Sequence, residues 1–320
     1  MARLRKNRQV TEMLDIIVTH YREPWEMGKP FFDMLACQRG INFSDIRVIL
    51  VHDGVAPFKA QNFESYPYAV EQVKIPHGGV SKARNNGLER ATAKWVQFCD
   101  FDDRYTNIYA LKQVLGVLNE QDCDMIWTPF WMECYNGELY VKRMEKENLI
   151  WIHGKYYRRE FLIENRVFFP EGIHYSEDSG FGAIVNELAK RRGKIKTEFP
   201  VYSWVYRPDS VSTDKANETK NLTGFIDRNV WVVEEFKRRG IDHINMVGRM
   251  FADAYWAFHQ PGKSFPEEEE RFNGIAKVYM NDLMKVDKHD LYLILMSARK
   301  NFKEFETDEQ FTDWIARIRG

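Results

Sequence analysis

The chain has 320 residues, of which 44% are hydrophobic and 29% charged, the composition of an ordinary globular protein. Lysine and arginine (46) nearly balance aspartate and glutamate (47), so no overall charge would attract nucleic acid or an anionic membrane. The four cysteines form no Cys-x-x-Cys pair, which favours a reducing cytoplasm, and no apolar run is long enough to predict a transmembrane span.

The first hundred residues alternate short β-rich runs with helical stretches, a pattern typical of a mainly parallel α/β sheet. A helix is expected to start near Pro24, to be interrupted at Pro30 and to end near Gly40, and a second helix to start at Ser81. The predicted strands are 14–21, 46–51, 69–75 and 94–99.

The second part of the chain changes its pattern twice. A helix is predicted over 105–119, Asn136-Gly137 predicts a β-hairpin, and another helix should run from Ser176 to about residue 192. From about residue 217 onward only amphipathic helices are predicted. We therefore divide the chain into a basic N-terminal arm (1–12), an α/β domain (13–216, with halves 13–104 and 105–216) and an α-helical C-terminal region (217–320).

Polar clusters follow three of the predicted strands, namely 19–21, 52–54 and 100–103. Ligands of open α/β sheets bind at the carboxyl ends of the strands, so these clusters predict one shared site. A dinucleotide site would need Gly-x-Gly-x-x-Gly after the first strand, where the chain reads VTHYREP, and no P-loop is present. Both of those nucleotide-binding classes are therefore disfavoured.

The acidic cluster FCDFDD suggests a metal site. Asp100 and Asp102 alternate with Phe101, so in an extended backbone their carboxylates share one face. Carboxylate oxygens are ligands that Mg²⁺ and Mn²⁺ prefer. The alternative is that these acids only cap the helix that begins near Asn107.

Five segments of the chain resemble, in their order and approximate spacing, the GT-A glycosyltransferases of the large, mostly inverting family 2: IIVTHY, VHDG, GGVSKARNNGLERATAKWVQFCDFDD, GKYYRREFLIENRVFFPEG and SEDSGFG. The resemblance covers about residues 14–213. It implies a Rossmann-like GT-A fold with a mixed, mainly parallel sheet flanked by helices. It also implies a cytoplasmic, Mn²⁺- or Mg²⁺-dependent enzyme that transfers a sugar from a nucleoside-diphosphate sugar, with UDP favoured, to an acceptor hydroxyl.

The resemblance implies a role for each matching residue. Asp102 matches the metal-binding acid of the family's D-x-D motif, and Asp100 would contact the metal or the sugar-nucleotide. In the family's D-D-G-S segment this chain has His52 and Val55 in place of the first Asp and the Ser. The residues implied to bind the nucleotide-sugar are Thr19, Tyr21, Asp53, Arg84, Asn85, Asp100 and Arg207, with Ser210 and Ser212 as secondary candidates and His153 as a minor one.

The segment Ser176-Glu177-Asp178 matches the Glu-Asp motif that supplies the family's catalytic base. Asp178 is the expected base and Glu177 its helper. A carboxylate at a helix N-terminus stays ionised because the helix dipole favours the negative form, so Asp178 would act through its position more than its basicity. The alternative is an acidic turn that only stabilises its helix.

Two other functions are weighed against transfer. A sugar-nucleotide nucleotidyltransferase usually has a Gly-rich basic loop after the first strand, which this chain lacks. A non-catalytic nucleotide-binding or assembly module would dock a partner through the C-terminal helices. For an enzyme, those helices would complete the acceptor side, form a homo-oligomer or bind a carrier. The acceptor would be a glycan, a protein or a lipid-linked molecule, the last requiring peripheral membrane contact.

Overall fold

The computed structural model describes residues 12–135, 138–195, 199–260, 262–299 and 308–319. The chain forms two compact units, the first comprising the residues up to Gly172 together with Phe181–Arg207, and the second comprising Ile173–Gly180 together with the residues from Pro208. The predicted Asn136-Gly137 turn and residues 1–11 of the predicted N-terminal arm lie outside the described residues.

The first unit contains all the strands that the structure describes. They are β1 (Leu14–His20), β2 (Ile46–Asp53), β3 (Ala69–Ile75), β4 (Trp95–Asp100), β5 (Arg104–Tyr105), β6 (Met125–Trp127), β7 (Phe130–Tyr135), β8 (Tyr140–Glu145), β9 (Lys155–Arg158), β10 (Arg192–Lys194) and β11 (Tyr202–Trp204). Seven of them form a sheet in the order β10-β6-β9-β4-β1-β2-β3, in which only β9 runs antiparallel to its neighbours. The predicted mixed, mainly parallel sheet is therefore confirmed.

A smaller sheet has the order β5-β11-β7-β8. Strands β7 and β8 are antiparallel, with Tyr135 opposite Tyr140, as the predicted hairpin requires. Strand β11 pairs with β7 in parallel and with β5 in antiparallel orientation. Strand β5 immediately follows the acidic cluster, so this sheet fixes the chain on the far side of that cluster.

The helices with described bounds are α1 (Trp25–Ala36), α2 (Val80–Arg90), α3 (Ala110–Glu120), α4 (Arg159–Glu164), α5 (Glu177–Leu188), α6 (Glu218–Arg238), α7 (Ile244–Phe258), α8 (Pro266–Leu283), α9 (Lys288–Arg299) and α10 (Asp308–Arg319). The predicted interruption of α1 at Pro30 is wrong, because the helix continues through it. Pro30 is exposed and removes only one backbone donor, whereas Phe31, Phe32 and Leu35 bury an apolar face.

Each unit has its own apolar core. The core of the first unit includes Leu14, Ile16 and Val18 of β1 with Phe31 and Phe32 of α1. The core of the second unit is built from helices α6 to α10. Helix α7 lies at its centre, and the last two turns of α7 are buried on every side. Among the described helices, none combines the length and the apolar character needed to cross a membrane.

Candidate active site

The carboxyl ends of β1, β2 and β4 meet at one edge of the sheet. Strand β1 lies between the other two, and all three are parallel, with Thr19 opposite Val51 on one side and opposite Asp100 on the other. The three predicted polar clusters therefore lie side by side, as the sequence indicates. Thr19 is half-buried at this edge, with Tyr21 just beyond the end of β1.

Two arginines lie against the acidic cluster at the end of β4. Arg84 of α2 is buried, and its Nη2 donates a hydrogen bond of 2.8 Å to Asp100 Oδ1. Arg207 places its Nε 3.4 Å from Asp102 Oδ2 and its Nη2 3.5 Å from Glu23 Oε1. Sequence reasoning missed Glu23, although its position three residues after β1 puts it at the same edge. The structure thus brings Asp100, Asp102, Arg84 and Arg207 together.

Asp103 and His153 lie on the buried side of the cluster. Asp103 accepts hydrogen bonds from the Tyr202 hydroxyl (2.6 Å) and from the Val205 N–H (2.9 Å). His153 Nδ1 lies 3.7 Å from Asp103 Oδ2 and has no hydrogen-bond partner among the described residues. One ligand atom each from Asp100, Asp103 and His153 lies within 4.8 Å of the others, a spacing that could hold a metal ion.

Burial and mutual repulsion shape the charges of this cluster. Burial, reinforced by the charge of Asp100, raises the pKa of Asp102 to about 6 despite Arg207. Burial and the two neighbouring carboxylates raise the pKa of Asp103 well above its usual range. Burial also opposes the charge of Asp100, but the Arg84 guanidinium outweighs it and holds the pKa of Asp100 below its usual value. The charged form is therefore disfavoured at Asp102 and Asp103 and favoured at Asp100.

His153 completes a donor set that suits a hard divalent cation. Burial lowers its pKa to about 3, so its imidazole is neutral and offers a nitrogen lone pair. Carboxylate oxygens suit both Mg²⁺ and Mn²⁺, whereas an added imidazole nitrogen suits a transition metal such as Mn²⁺ better than Mg²⁺. The residues present therefore fit the predicted metal, and Asp103 and His153 are candidate ligands beside Asp100 and Asp102.

Asp53 at the end of β2 orders the loop that follows β3. Its Oδ1 accepts a 2.7 Å hydrogen bond from the Gly78 N–H, its Oδ2 accepts one of 2.9 Å from the Gly79 N–H, and His77 Nδ1 lies 2.8 Å from the same Oδ2. The Tyr21 ring stacks on His77, with centroids 4.8 Å apart and planes 14° apart. Sequence reasoning missed His77. Its position two residues after the end of β3 indicates that it lies at the same edge of the sheet as Asp53 and Tyr21.

Asn85 contacts a different part of the site from Arg84. Its side-chain amide accepts a hydrogen bond from the Phe169 N–H (2.8 Å) and donates to the Phe169 carbonyl (3.0 Å) and to Glu171 (3.2 Å). The guanidinium of Arg84 also packs over the Phe169 ring, 5.1 Å from its centroid. The amide of Asn85 therefore anchors the 169–171 segment, while Arg84 reaches the acidic cluster.

Glu177 and Asp178 form the first turn of α5, in the second unit, as the Glu-Asp motif predicts. Asp178 Oδ1 accepts a 2.7 Å hydrogen bond from the Ser179 N–H. Ser176, directly before the helix, has a left-handed backbone with φ of 62°. A non-glycine residue with this conformation is held there by its surroundings, so the acidic turn has a defined geometry.

Ser210 and Ser212 belong to a turn of the second unit. Ser210 Oγ lies 3.1 Å from Ser212 Oγ and 2.7 Å from Thr213 Oγ1. These contacts fit the capped loop that is the alternative to a ligand-binding role.

A buried histidine pair lies at the edge that carries the polar clusters. The Nδ1 atoms of His20 and His52 are 2.8 Å apart, and these residues are opposite one another at the ends of β1 and β2. The outer nitrogens contact the Glu23 carbonyl (2.8 Å) and Gln72 Oε1 (3.0 Å). Burial lowers the pKa of both histidines. The pKa of His52 falls to about 4, because repulsion from His20 adds to the effect of burial.

We expect this pair to make folding sensitive to acid. The unfolded chain binds a proton at His52 near pH 6.5 and the folded chain only near pH 4, so stability is full above pH 6.5 and falls as the pH drops toward 4. The loss from His52 should reach about 3 kcal/mol. Urea unfolding at several pH values measures it. His52→Gln should flatten this part of the profile, whereas replacing the exposed His289 by Gln should not; equal slopes in all three proteins would contradict the prediction.

Comparison with known proteins gives a family and related sequences. A family model described as glycosyl transferase family 2 matches residues 15–179. EpsJ of Bacillus subtilis (strain 168), an uncharacterized glycosyltransferase, is 26% identical over 171 residues, which are 46% of this chain and 49% of EpsJ. TarS of Staphylococcus aureus (strain Mu50 / ATCC 700699), a poly(ribitol-phosphate) beta-N-acetylglucosaminyltransferase, is 29% identical over 154 residues, 43% of this chain and 26% of TarS. The matched region is thus half or less of each relative.

Two solved structures are similar in fold. S. aureus TarS 1–349 in complex with UDP-GlcNAc is 16% identical with a TM-score of 0.65, covering 96% of this chain and 90% of that one. The mannosyltransferase PcManGT from Pyrobaculum calidifontis, in complex with GDP-Man and Mn²⁺, is 13% identical with a TM-score of 0.53, covering 95% and 83%. The likeness confirms the predicted GT-A fold.

Proposed function

This chain belongs to glycosyl transferase family 2, and we propose that it is a metal-dependent, inverting glycosyltransferase. It would transfer a sugar from a UDP-sugar to a hydroxyl group of a glycan, protein or lipid-linked acceptor. The observation that carries the proposal is the cluster of Asp100, Asp103 and His153 at the carboxyl end of β4, with Asp102 in the same run of acids and two arginines beside it. Such a cluster suits the diphosphate of an activated sugar together with a divalent cation.

The choice of UDP rests on a comparison. TarS 1–349 was solved with UDP-GlcNAc and PcManGT with GDP-Man, and the structural match covers 90% of TarS 1–349 but 83% of PcManGT. In this chain, Asp53 and the stacked pair of Tyr21 and His77 offer a hydrogen-bond acceptor and an aromatic surface at the first two strand ends. These groups suit a planar, hydrogen-bonding base of any kind, so the choice of UDP over GDP rests on the comparison.

Asp102 and Asp100 would hold the metal, with Asp103 and His153 as the adjacent donors. The fit is chemical: carboxyl groups with raised pKa values and a buried imidazole nitrogen without a hydrogen-bond partner among the described residues favour an added cation. When bound, Mn²⁺ or Mg²⁺ would neutralise the negative charge that develops on the departing diphosphate. Arg84 and Arg207 would place their guanidinium groups beside the same phosphate oxygens.

Asp178 would accept the proton of the acceptor hydroxyl. In inverting transfer, that oxygen attacks the anomeric carbon from the face opposite the leaving diphosphate, and it must lose its proton as the new bond forms. A carboxylate at the N-terminus of α5 is stabilised in its ionised form by the helix dipole. Glu177 would help to place the acceptor or the helix.

A thermal-shift panel tests the donor site. UDP, GDP, CDP and TDP are each added with Mn²⁺ or with EDTA. UDP with Mn²⁺ at about 100 times its Kd should stabilise the protein by about 2.7 kcal/mol, and UDP with EDTA by much less. A shift with GDP alone would overturn the choice of base but keep the transferase. The absence of a shift with every nucleotide would favour the non-catalytic module.

A further inference from the structure

The turn that carries Asp178 is in close contact with α6 of the same unit. A Cβ atom built on Gly180 would lie 3.1 Å from Arg228 Cγ and 3.4 Å from Trp231 Cε3. A Cβ built on Gly224 would lie only 2.9 Å from the backbone N and the Cβ of Tyr175. Both glycines therefore allow an approach that a larger residue would prevent, so the segment 173–180 is held against α6 on both sides of Asp178.

Arg228 of α6 itself makes the contact with Gly180, one helical turn after Gly224. Its guanidinium carbon is 4.6 Å from the centroid of the Phe225 ring, which orients the group. Burial lowers the pKa of Arg228 and the charge of Arg249 adds to this, while the negative charges of Asp253 and Asp178 favour the charged form. Arginine nevertheless remains protonated at neutral pH, so Arg228 presents a positive charge to Asp178.

The other side of Arg228 is supported by α7. Asp253 is fully buried, and its Oδ1 lies 2.7 Å from Arg249 Nε. Its Oδ2 accepts a hydrogen bond of 3.4 Å from Asn229, the neighbour of Arg228 on α6. The signs of the charges thus alternate from Asp178 to Arg228, Asp253 and Arg249. The attraction of Arg228 to Asp253 and to Asp178 opposes its movement away from either group.

We propose that Arg228 is a positioning residue for Asp178: its stem packs against the turn at Gly180, and its guanidinium holds a positive charge near the carboxylate. The inference rests on the proposed function, since it takes Asp178 as the base. It also gives α6 of the C-terminal helical region a part in catalysis: α6 places the base. Tyr175, Glu177 and Arg228 of the second unit lie close to Asp178, and Arg228 contributes a positive charge. Removing that charge should make Asp178 easier to protonate.

The test measures UDP release from UDP-GlcNAc in the presence of Mn²⁺, with water as the acceptor, between about pH 3 and pH 7, because the usual pKa of aspartate is about 3.9. Arg228→Met should lower kcat by about tenfold and leave KM for UDP-GlcNAc within about twofold, because a positioning residue acts on the reacting geometry. The acidic limb of the kcat profile should move up by about one pH unit. Arg228→Lys keeps the charge and should restore the limb to its original pH.

The matched control is Arg238→Met on the same helix, where the side chain is more than half exposed and pairs with Glu235. It should leave both kcat and the pH profile unchanged. A lower kcat in Arg228→Met with an unmoved acidic limb would overturn the proposal and leave Arg228 a purely structural residue. If Arg228→Met does not fold, Arg228→Gln carries the same comparison with Arg228→Lys.

Asp178→Asn separates this proposal from the proposed function. Full activity of Asp178→Asn would remove the base assignment, and the role of Arg228 with it. Loss of activity in Asp178→Asn combined with an unchanged Arg228→Met would overturn the positioning role alone.

Discussion

Asp178→Asn is expected to lower kcat for UDP release from UDP-GlcNAc by about 10² to 10⁴-fold, the range that general acid–base catalysis supplies. Asparagine has nearly the same shape as aspartate but cannot accept a proton, so the substitution removes the chemistry and little of the packing. The Kd for UDP with Mn²⁺ should stay within about twofold of the wild-type value, since Asp178 is proposed to act on the acceptor. Steady-state kinetics and a thermal-shift titration measure the two quantities.

Glu177→Gln is the matched comparison, because Glu177 precedes Asp178 in the same helical turn and its side chain is largely buried. Its kcat should fall far less than that of Asp178→Asn. The reverse ranking would assign the base to Glu177. Wild-type turnover in both variants would show that neither carboxylate takes the proton, and another base would then have to be sought.

The strands of the site could be predicted because their sequence signal is local. AVEQVKI has the alternation of a half-buried strand and forms β3 over the predicted residues, and LDIIVTHY forms β1 with a one-residue difference at its end. Polar residues that end adjacent parallel strands must share an edge. This argument predicts that Thr19 and Asp100 lie together, and β1 and β4 pair them directly.

Partners across the fold could not be predicted, because they depend on side-chain positions far apart in the chain. The Asp53 carboxylate accepts hydrogen bonds from the backbone of the 77–79 loop, and the Asn85 amide binds the backbone of the 169–171 segment. Neither pairing leaves a periodic trace in the sequence. Tertiary packing also overrode a local rule at Pro30, where the buried face of α1 outweighs one missing backbone hydrogen bond.

The grouping of the 173–180 segment with the C-terminal helices was equally invisible in the sequence. A helix that starts at Glu177 was predicted, but nothing in its residues indicates that α6 packs against its first turn. Gly180 and Gly224 allow that contact, but a glycine in a helix does not by itself indicate which residue packs against it. The predicted boundary near residue 217 gives the start of the C-terminal helices. It does not predict that the segment 173–180 packs against them.

Asp102→Asn is expected to abolish the Mn²⁺-dependent part of UDP binding, weakening the Kd by about 100-fold or more, equivalent to about 2.7 kcal/mol. The pKa of Asp102 is raised to about 6 by burial and by the charge of Asp100, so the ionised Asp102 side chain destabilises the folded, ligand-free protein. The ligand-free Tm of Asp102→Asn should therefore equal or exceed that of the wild type, as is common when a binding-site charge is removed. Thermal shifts with UDP and Mn²⁺ measure both effects.

Asp103→Asn is the discriminating comparison, because Asp103 belongs to the same run of acids but is committed to Tyr202 and to the backbone of Val205. An asparagine there can accept only one of these hydrogen bonds with its oxygen, so the ligand-free protein should lose about 1–3 kcal/mol of stability. Its Mn²⁺-dependent shift should survive in reduced form, and Asp313→Asn on the exposed face of α10 should change neither quantity. If Asp103→Asn folds yet loses all Mn²⁺ dependence while Asp102→Asn keeps it, the metal belongs to Asp100, Asp103 and His153 instead.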